Sequence, residues 1–214
     1  TQGAVSLNGQ VASKAAQRVK AGDLVCVEMR ETLQSQAFRP EPMELQIAYE
    51  DEHLLVLHKP AGLVVHPAPG NWSGTLLNGL LARDPRASLL PRAGIVHRLD
   101  KDTSGLMVVA RSRHVMDALV RLIADRKVSR QYLALAHRPW QGVADRPVDA
   151  PIGRDPRNRL RMAVVDMAVH AGKPARTDVH FLTGNDLGCL VKCTLHTGRT
   201  HQIRVHMALI GHPL

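Results

Sequence analysis

Aromatic residues are scarce in this chain. Of its 214 residues, six are aromatic: Phe38, Tyr49, Trp72, Tyr132, Trp140 and Phe181. Proteins that bind single-stranded nucleic acid passively stack successive bases on several aromatic side chains, so this composition argues against that class. One aromatic residue in a pocket would still be enough for an enzyme that takes a single base out of its stack.

Cysteines and long apolar runs are also scarce. Three cysteines, Cys26, Cys189 and Cys193, cannot form a disulfide framework and favour a reducing compartment. Cys189 and Cys193 are about 13 Å apart on a predicted strand, too far for a disulfide, so we expect buried small residues. No apolar run approaches the roughly 18 residues of a membrane helix, and no secretory signal opens the chain. We therefore expect a cytoplasmic protein without a membrane partner.

Acidic residues are outnumbered by basic ones. The chain has 28 Lys and Arg against 19 Asp and Glu, a net charge of +9 and a pI of about 10.1, which favours a polyanionic partner. Residues 151–176 hold six basic and two acidic side chains, a net +4 among Pro, Gly and Asn. This composition predicts an exposed loop suited to phosphate contacts, although a merely solvated face is the alternative. The arginines expected to contact RNA here are Arg154, Arg157, Arg159 and Arg161.

The segment 94–111 carries the most chemical information. Two apolar runs, 94–99 and 106–110, flank a polar segment that ends in Gly105, which predicts a strand, a tight turn and a strand. The two-residue period of a strand puts Arg98 and Asp100 on one face and His97 on the other. A carboxylate at a strand end beside an arginine is a candidate reaction centre, unless it only binds backbone amides in an Asx-turn. We expect His97 to be packed or hydrogen-bonded rather than a base.

The same segment supports a family resemblance. The sequence His-Arg-Leu-Asp-Lys-Asp-Thr-Ser-Gly at 97–105 resembles the signature of the RluA family of pseudouridine synthases, in which the Asp is catalytic. Segments 49–67, 130–132 and 197–206 resemble the family's other motifs in the same order. The resemblance covers about residues 44–214.

The resemblance implies an isomerase that converts uridine to pseudouridine without cofactor or metal. Asp100 would be the catalytic nucleophile or proton acceptor, and Arg204 would pair with it and keep it ionised. Tyr132 would lie against the flipped base and pass a proton. Ile203 would form an apolar lid. The alternatives are that Tyr132 is an ordinary strand tyrosine and that Ile203 is an ordinary core residue. Arg98 would fill the gap in the RNA or hold a phosphate.

Further expectations concern substrate contacts and partners. Lys59 and Pro60 would contact the substrate or only shape a turn, and Arg199 would contact RNA. Residues 91–103 most resemble the branch of the family that acts on the helix 69 stem-loop of large-subunit ribosomal RNA. The partner would then be this stem-loop in the 50S particle or its precursor, with the protein as a monomer.

The chain divides into three expected parts. Residues 1–30 resemble part of an S4 RNA-binding module, with a plain β-hairpin as the alternative, and 31–43 indicate a linker. Residues 44–214 would be a C-terminally shortened catalytic domain. Its class would be α+β, the pseudouridine synthase fold, with a mainly antiparallel mixed sheet and flanking helices. The elements expected are a hairpin over 45–67 with 59–62 in its turn, helices over 75–81, 113–127 and 200–210, and strands near 128–136, 176–182 and 189–195.

Two other functions fit parts of the sequence. A metal-dependent nuclease could use Asp100, Asp102 and a histidine, because two carboxylates can hold Mg²⁺. A non-catalytic ribosome-binding or assembly protein could use the S4-like part and the basic loop. Dependence on a divalent metal would identify the first, and RNA binding without isomerisation would identify the second.

Overall fold

The computed structural model describes residues 3–14, 16–28 and 33–214. These residues form four sheets in which every strand pair is antiparallel. The strands are β1 (Val5–Leu7), β2 (Gln10–Val11), β3 (Val25–Val27), β4 (Gln46–Glu50), β5 (Leu54–Lys59), β6 (Gly105–Ala110), β7 (Gln131–His137), β8 (Asp145–Asp149), β9 (Ile152–Arg154), β10 (Met162–Val164), β11 (Gly172–Lys173), β12 (Arg176–Gly184) and β13 (Gly188–Leu195). The helices are α1 (Leu76–Arg83), α2 (Arg113–Ala124) and α3 (Gln202–Leu209), with short 3₁₀ turns at Leu33–Gln36, Pro85–Leu89 and Pro91–Gly94. The prediction of an α+β protein is confirmed.

The N-terminal residues form a small sheet of their own, in the order β2-β1-β3. The tight turn between β1 and β2 has Asn8 at φ 50° and Gly9 at φ 81°, and two positive φ angles are what a two-residue hairpin turn requires. The Asn8 side chain also accepts a bond from the Leu24 amide at 2.8 Å, which ties this turn to the segment before β3. The predicted Asn-Gly turn is confirmed, and the identification of this part as S4-like stays a prediction.

The first apolar core lies between the sheet β4-β5-β6 and helix α1. Its most buried side chains include Leu57, Leu76, Leu77 and Met107. Helix α1 begins where Thr75 forms a capping box with Asn78, which satisfies amides that a helix start leaves unpaired. This core sets the position of β6, the strand that follows the segment around Asp100.

The hairpin predicted over 45–67 is only partly right. Its turn lies between β4 and β5, where one oxygen of Asp51 accepts the amides of His53 and Leu54 at 2.8 Å each. Residues 59–62, which were expected in this turn, instead follow β5 and lead away from the hairpin. The physical reason is that Asp51 captures the two amides locally and so closes the turn eight residues earlier.

The predicted linker 31–43 is packed over much of its length; residues 31 and 32 lie outside the described part. The side-chain amide of Asn78 donates to the carbonyls of Ala37 at 3.1 Å and Arg39 at 2.8 Å. The Asn78 carbonyl accepts the amide of Glu41 at 3.1 Å. Residues 37–41 therefore dock on α1 instead of forming a free connection.

The second apolar core lies between the sheet β7-β13-β12-β8 and helix α3. Cys189 and Cys193 are 1% and 0% exposed in it, which confirms the prediction of buried small residues. Burial raises the pKa of Cys193 to about 12, so its thiol stays protonated at neutral pH. The three-stranded sheet β10-β9-β11 adjoins this core, and α3 ends before Gly211, which has a φ of 92°.

Helix α2 differs from its prediction. It begins after Ser112, whose hydroxyl accepts the Val115 amide as expected of an N-cap, and it ends at Ala124 rather than Lys127. The spacing of its apolar residues predicts one stripe packed in the core: Val115, Ala118, Leu119, Leu122 and Ile123. The stripe is at most partly buried, because no residue of α2 is buried and Leu122 is 40% exposed. Periodicity shows which side chains share a helix face but not whether another element covers that face. Within the described ranges, no helix is long and apolar enough to cross a membrane.

Candidate active site

A strained turn leads into the segment that carries Asp100. Three consecutive residues, Arg92, Ala93 and Gly94, have φ angles of 53°, 55° and 80°. Gly94 also lies so close to the Ala110 carbonyl that a Cβ atom would not fit there. Left-handed backbone at non-glycine residues is unfavourable and is found where the surrounding structure holds it in place. The chain is thereby turned so that the next residues run alongside β6.

The strand predicted over 94–99 is not formed. The segment is extended, but it touches the sheet only through a single bridge between Ile95 and Val109. A second anchor comes from His97, whose Nε2 accepts the Val108 amide at 2.9 Å. In a regular strand pair the Val108 amide would donate to a backbone carbonyl of the neighbouring strand. Here it donates to the His97 imidazole instead. The prediction that His97 is hydrogen-bonded is confirmed; burial and the nearby Arg130 both lower its pKa, which keeps it neutral.

The alternation of side chains along this segment agrees with the prediction. Ile95 and Leu99 are buried, whereas Arg98 is exposed and Asp100 is partly exposed. The carbonyl of Asp100 accepts the amide of Thr103 at 3.1 Å and closes a tight turn. Asp100 thus stands at the end of an anchored extended segment, with its side chain on the face opposite the core.

Lys59 holds the loop that follows Asp100. Its side chain is 1% exposed, and its Nζ donates to the carbonyls of Pro60 at 2.7 Å, Leu63 at 2.9 Å and Lys101 at 2.9 Å. The Lys101 carbonyl also accepts the Gly62 amide at 2.9 Å. Because an ammonium group has three N–H donors, every donor of Lys59 is used on backbone. We refer to Lys59 and these three carbonyls as the lysine clamp.

The lysine clamp bears on the two roles expected for Lys59. A buried and fully hydrogen-bonded side chain favours the alternative that Lys59 shapes a turn, and its contact with substrate stays a prediction. Burial lowers the pKa of Lys59, while Asp102 and Asp100 act in the opposite direction. Pro60 is exposed and contributes its carbonyl to the clamp, and its contact with substrate stays a prediction.

Tyr132 lies near Asp100 and connects the two cores. It sits on β7 opposite Cys193 and packs against both apolar clusters. Burial and, to a smaller extent, Asp100 raise the pKa of Tyr132, while Arg130 opposes them. The phenol is therefore protonated at neutral pH and can donate a hydrogen bond or a proton.

Arg130 is a site residue to which the sequence assigned no role. It is partly buried and acts electrostatically on both His97 and Tyr132. Gly198 leaves it room, since a Cβ atom there would lie 2.6 Å from a guanidinium nitrogen of Arg130. In the sequence, Arg130 is marked only by its position in the segment 130–132, two residues before Tyr132. Its proximity to His97 arises only in the tertiary fold.

The predicted ion pair between Asp100 and Arg204 is not formed in this structure. Arg204 is exposed, and within residues 3–14, 16–28 and 33–214 it makes no ion pair with Asp100. The reason is helical geometry, because Gln202 and His206 face the sheet and Arg204 lies about 200° around the helix from Gln202. Ile203 is partly buried against the second core. Its packing supports the core alternative, and its role as a lid stays a prediction.

The basic loop lies between β9 and β10. The turn is held by bonds of Asp155 and Asn158 to nearby backbone amides at 2.8–3.1 Å. The four predicted RNA contacts are all exposed on it: Arg154, Arg157, Arg159 and Arg161. Arg199 is partly buried and donates from Nε to the Pro174 carbonyl at 3.0 Å. The prediction of an exposed loop over 151–176 is only partly right, because this range includes β9, β10 and β11 and buries Ile152 and Val165. Its arginines are exposed, and their contact with RNA stays a prediction.

Among the described residues, no three His, Cys, Asp or Glu side chains gather into a group that could hold a metal ion. Asp100 and Asp102 share one loop, but no third donor of these types joins them. The arrangement therefore offers no support for the nuclease alternative.

Comparison with known proteins agrees with this geometry. The sequence pattern described as RNA pseudouridylate synthase matches residues 53–209, a range that contains Lys59, Asp100, Tyr132 and Arg204. A solved structure, human RNA pseudouridylate synthase domain containing 1, superposes with a TM-score of 0.62 at 26% identity, covering 86% of this chain and 69% of that one. The chain belongs to the RNA pseudouridylate synthase family.

Within this family, several similar curated proteins are ribosomal large subunit pseudouridine synthases D. The one from Neisseria meningitidis serogroup B is 51% identical over 215 residues, covering 100% of this chain and 55% of that protein. The one from Escherichia coli O6:H1 is 44% identical, covering 98% of this chain and 62% of that protein. The chain thus spans a little over half the length of these relatives.

Proposed function

We propose that this protein converts uridine to pseudouridine in the helix 69 stem-loop of large-subunit ribosomal RNA. The observation that carries the proposal is the position of Asp100, at the end of an anchored segment, followed by the lysine clamp and close to Tyr132. Family membership and the names of the relatives support the reaction and the substrate. The substrate would be the stem-loop in the 50S particle or its precursor, and the protein would act as a cytoplasmic monomer.

The reaction needs few chemical groups. The bond between N1 of uracil and C1′ of ribose breaks, the base turns, a bond from C5 to C1′ forms, and the proton lost from C5 is balanced by one gained at N1. No oxidant or reductant is required. Asp100 would act as the nucleophile or as the proton acceptor. Tyr132, which is protonated at neutral pH, would lie against the base and pass a proton.

RNA binding would use the exposed cations around this centre. The arginines of the loop between β9 and β10 are free of ion pairs within the described residues, so their charges are available to phosphates. Arg98 is exposed on the same face as Asp100 and would replace the extruded uridine in the stack or hold a phosphate. Arg199 and Arg204 would add contacts from the region of α3, where Arg204 could also reach Asp100 once RNA is bound.

The test is the substitution Asp100→Asn, with Asp102→Asn as the matched control in the same loop. Release of tritium from RNA labelled at C5 of uridine measures turnover, and filter binding measures affinity. We expect Asp100→Asn to abolish turnover and leave RNA affinity within about threefold, because Asp100 is negative and adds little to phosphate binding. Asp102→Asn should retain most of the activity.

Three results would contradict the proposal. Substantial turnover by Asp100→Asn would remove Asp100 from the mechanism. Wild-type protein that binds the stem-loop without isomerising any uridine would indicate an assembly protein. Strand cleavage that depends on a divalent metal would indicate a nuclease.

A further inference from the structure

The face of helix α3 that meets the sheet carries two buried polar side chains beside the apolar Met207. Gln202 and His206 lie one turn apart on this face and are 3% and 0% exposed. They meet Thr177 of β12, which is also 0% exposed. None of the three belongs to the groups that would touch the substrate.

These side chains form one continuous hydrogen-bond chain. The Ala150 carbonyl can only accept, so Nε2 of His206 carries a proton and donates to it at 2.9 Å. Burial lowers the pKa of His206, against smaller opposing effects of Ala150 and Asp149, so the ring is neutral and Nδ1 accepts from the Thr177 hydroxyl at 2.9 Å. The Thr177 oxygen accepts in turn from the side-chain amide of Gln202 at 2.9 Å.

The chain extends into the loop that precedes α3. The side-chain oxygen of Gln202 accepts the Thr197 hydroxyl at 2.8 Å and the Arg199 amide at 2.9 Å. The side-chain amide of Gln202 also donates to the Arg176 carbonyl at 2.9 Å. The loop 197–201 and the first turn of α3 are therefore joined to β12 through one buried glutamine.

Directional bonds define the position of α3 more narrowly than apolar contact would. An apolar face can slide or rotate by a fraction of a turn with little loss, whereas the buried polar groups here lose hydrogen-bond partners when the helix moves. Leaving one of them unpaired is unfavourable. These bonds thus fix both the rotation of α3 about its own axis and its position on the sheet.

We propose that Thr177, Gln202 and His206 are positioning residues for the isomerisation, which fix the rotation of α3 on the sheet and so the directions in which Arg199, Ile203 and Arg204 project. The inference rests on the proposed function and adds to it a role for three residues that do not touch the substrate. We refer to Thr177, Gln202 and His206 as the α3 network.

The test is Thr177→Val, which keeps the shape of the side chain and removes the hydroxyl. Thr177→Ser restores the hydroxyl. Thr194→Val is the matched control, because Thr194 lies on the neighbouring strand β13 and its hydroxyl makes no hydrogen bond in the described part of the chain. Single-turnover rates at saturating enzyme, RNA dissociation constants and thermal unfolding are measured for each variant, all below the unfolding temperature of the least stable one.

We expect Thr177→Val to lower the single-turnover rate by about tenfold or more, since small misplacements of reacting groups are costly in rate. RNA affinity should stay within about threefold, and Thr177→Ser and Thr194→Val should stay within about threefold of wild type in rate. A purely structural role would lower the unfolding temperature and leave the rate of the folded protein unchanged. That result would overturn the proposal.

A second measurement separates this inference from the proposed function. The ¹⁵N chemical shifts of the His206 ring report its tautomer, and amide exchange reports the protection of α3. In the wild type we expect a proton on Nε2, and in Thr177→Val faster exchange in the first turn of α3 that Thr177→Ser reverses. If the wild type forms no pseudouridine, the proposed function fails. A proton on Nδ1, or α3 exchange unchanged by Thr177→Val, would overturn the network itself.

Discussion

Replacing Lys59 by methionine tests whether the lysine clamp organises the catalytic loop. The substitution keeps most of the length of the side chain and removes the ammonium group that binds three carbonyls. The Lys101 carbonyl would keep the Gly62 amide as a partner, whereas the carbonyls of Pro60 and Leu63 would lose their only intramolecular donor within the described residues. The change therefore leaves two acceptors unpaired.

The magnitude follows from these two acceptors. Each unpaired buried carbonyl destabilises the folded protein by about 1–3 kcal/mol, and partial access of water to the exposed Pro60 reduces the total. Taking a charged ammonium group out of a buried position is favourable by itself, so it offsets part of this loss of folding stability. We expect the free energy of unfolding to fall by about 2–4 kcal/mol. Because the loop after Asp100 would lose its link to β5, we also expect the single-turnover rate to fall by about 10²-fold.

Urea unfolding and single-turnover assays at neutral pH would measure both effects. Lys101→Met is the matched control, because Lys101 is exposed in the same loop and its side chain makes no hydrogen bond or ion pair in the described residues. It should unfold and react like the wild type. If Lys59→Met instead weakened RNA binding and left stability and the saturated rate unchanged, Lys59 would be a substrate contact and the clamp argument would be refuted.

Two other substitutions examine the base-contacting and RNA-binding groups. Tyr132→Phe keeps the packing against both cores and should lower turnover by about 10²–10⁴-fold if the hydroxyl passes a proton; a rate within about threefold of wild type would leave Tyr132 a packing role alone. Replacing Arg157, Arg159 and Arg161 together by Ala should weaken binding to many RNAs alike. It should also reduce the slope of log affinity against log salt by roughly 0.7–0.9 for each lost phosphate contact, and an unchanged slope would show that the loop is only a solvated surface.

Local patterns predicted much of this fold because their causes are local. The Asn8-Gly9 turn, the capped start of α1 at Thr75 and the N-cap at Ser112 each depend on residues within three positions of one another. The burial of Cys189 and Cys193 follows from the alternation along one strand. Such features carry their physical reason in a short stretch of sequence.

The features that sequence reasoning missed depend on distant partners. Arg92 and Ala93 show no preference for the left-handed turn that precedes the segment 94–99; the fold imposes it through the close approach of Gly94 to Ala110. Lys59 was expected either to contact the substrate or only to shape a turn, and only its bond to a carbonyl 42 residues away shows that it holds the loop after Asp100. Gln202 and His206 did carry a signal, two polar residues four positions apart in a helix that also contains Ile203, Val205, Met207 and Leu209. Their partner Thr177 is 25 and 29 residues away and could not be chosen from the sequence.

The lysine clamp and the α3 network belong to different apolar cores. The lysine clamp belongs to the first core and holds the loop that begins at Asp100, whereas the α3 network belongs to the second core and holds the segment that carries Arg204. Tyr132 packs against both cores, so it lies where the two halves meet. Buried polar groups are a weak source of net stability but a strong source of a unique arrangement. On the proposed function, an isomerisation that detaches and rejoins a base within one pocket would require such a unique arrangement. That requirement would explain a buried lysine, glutamine and histidine in places where apolar residues would pack more easily.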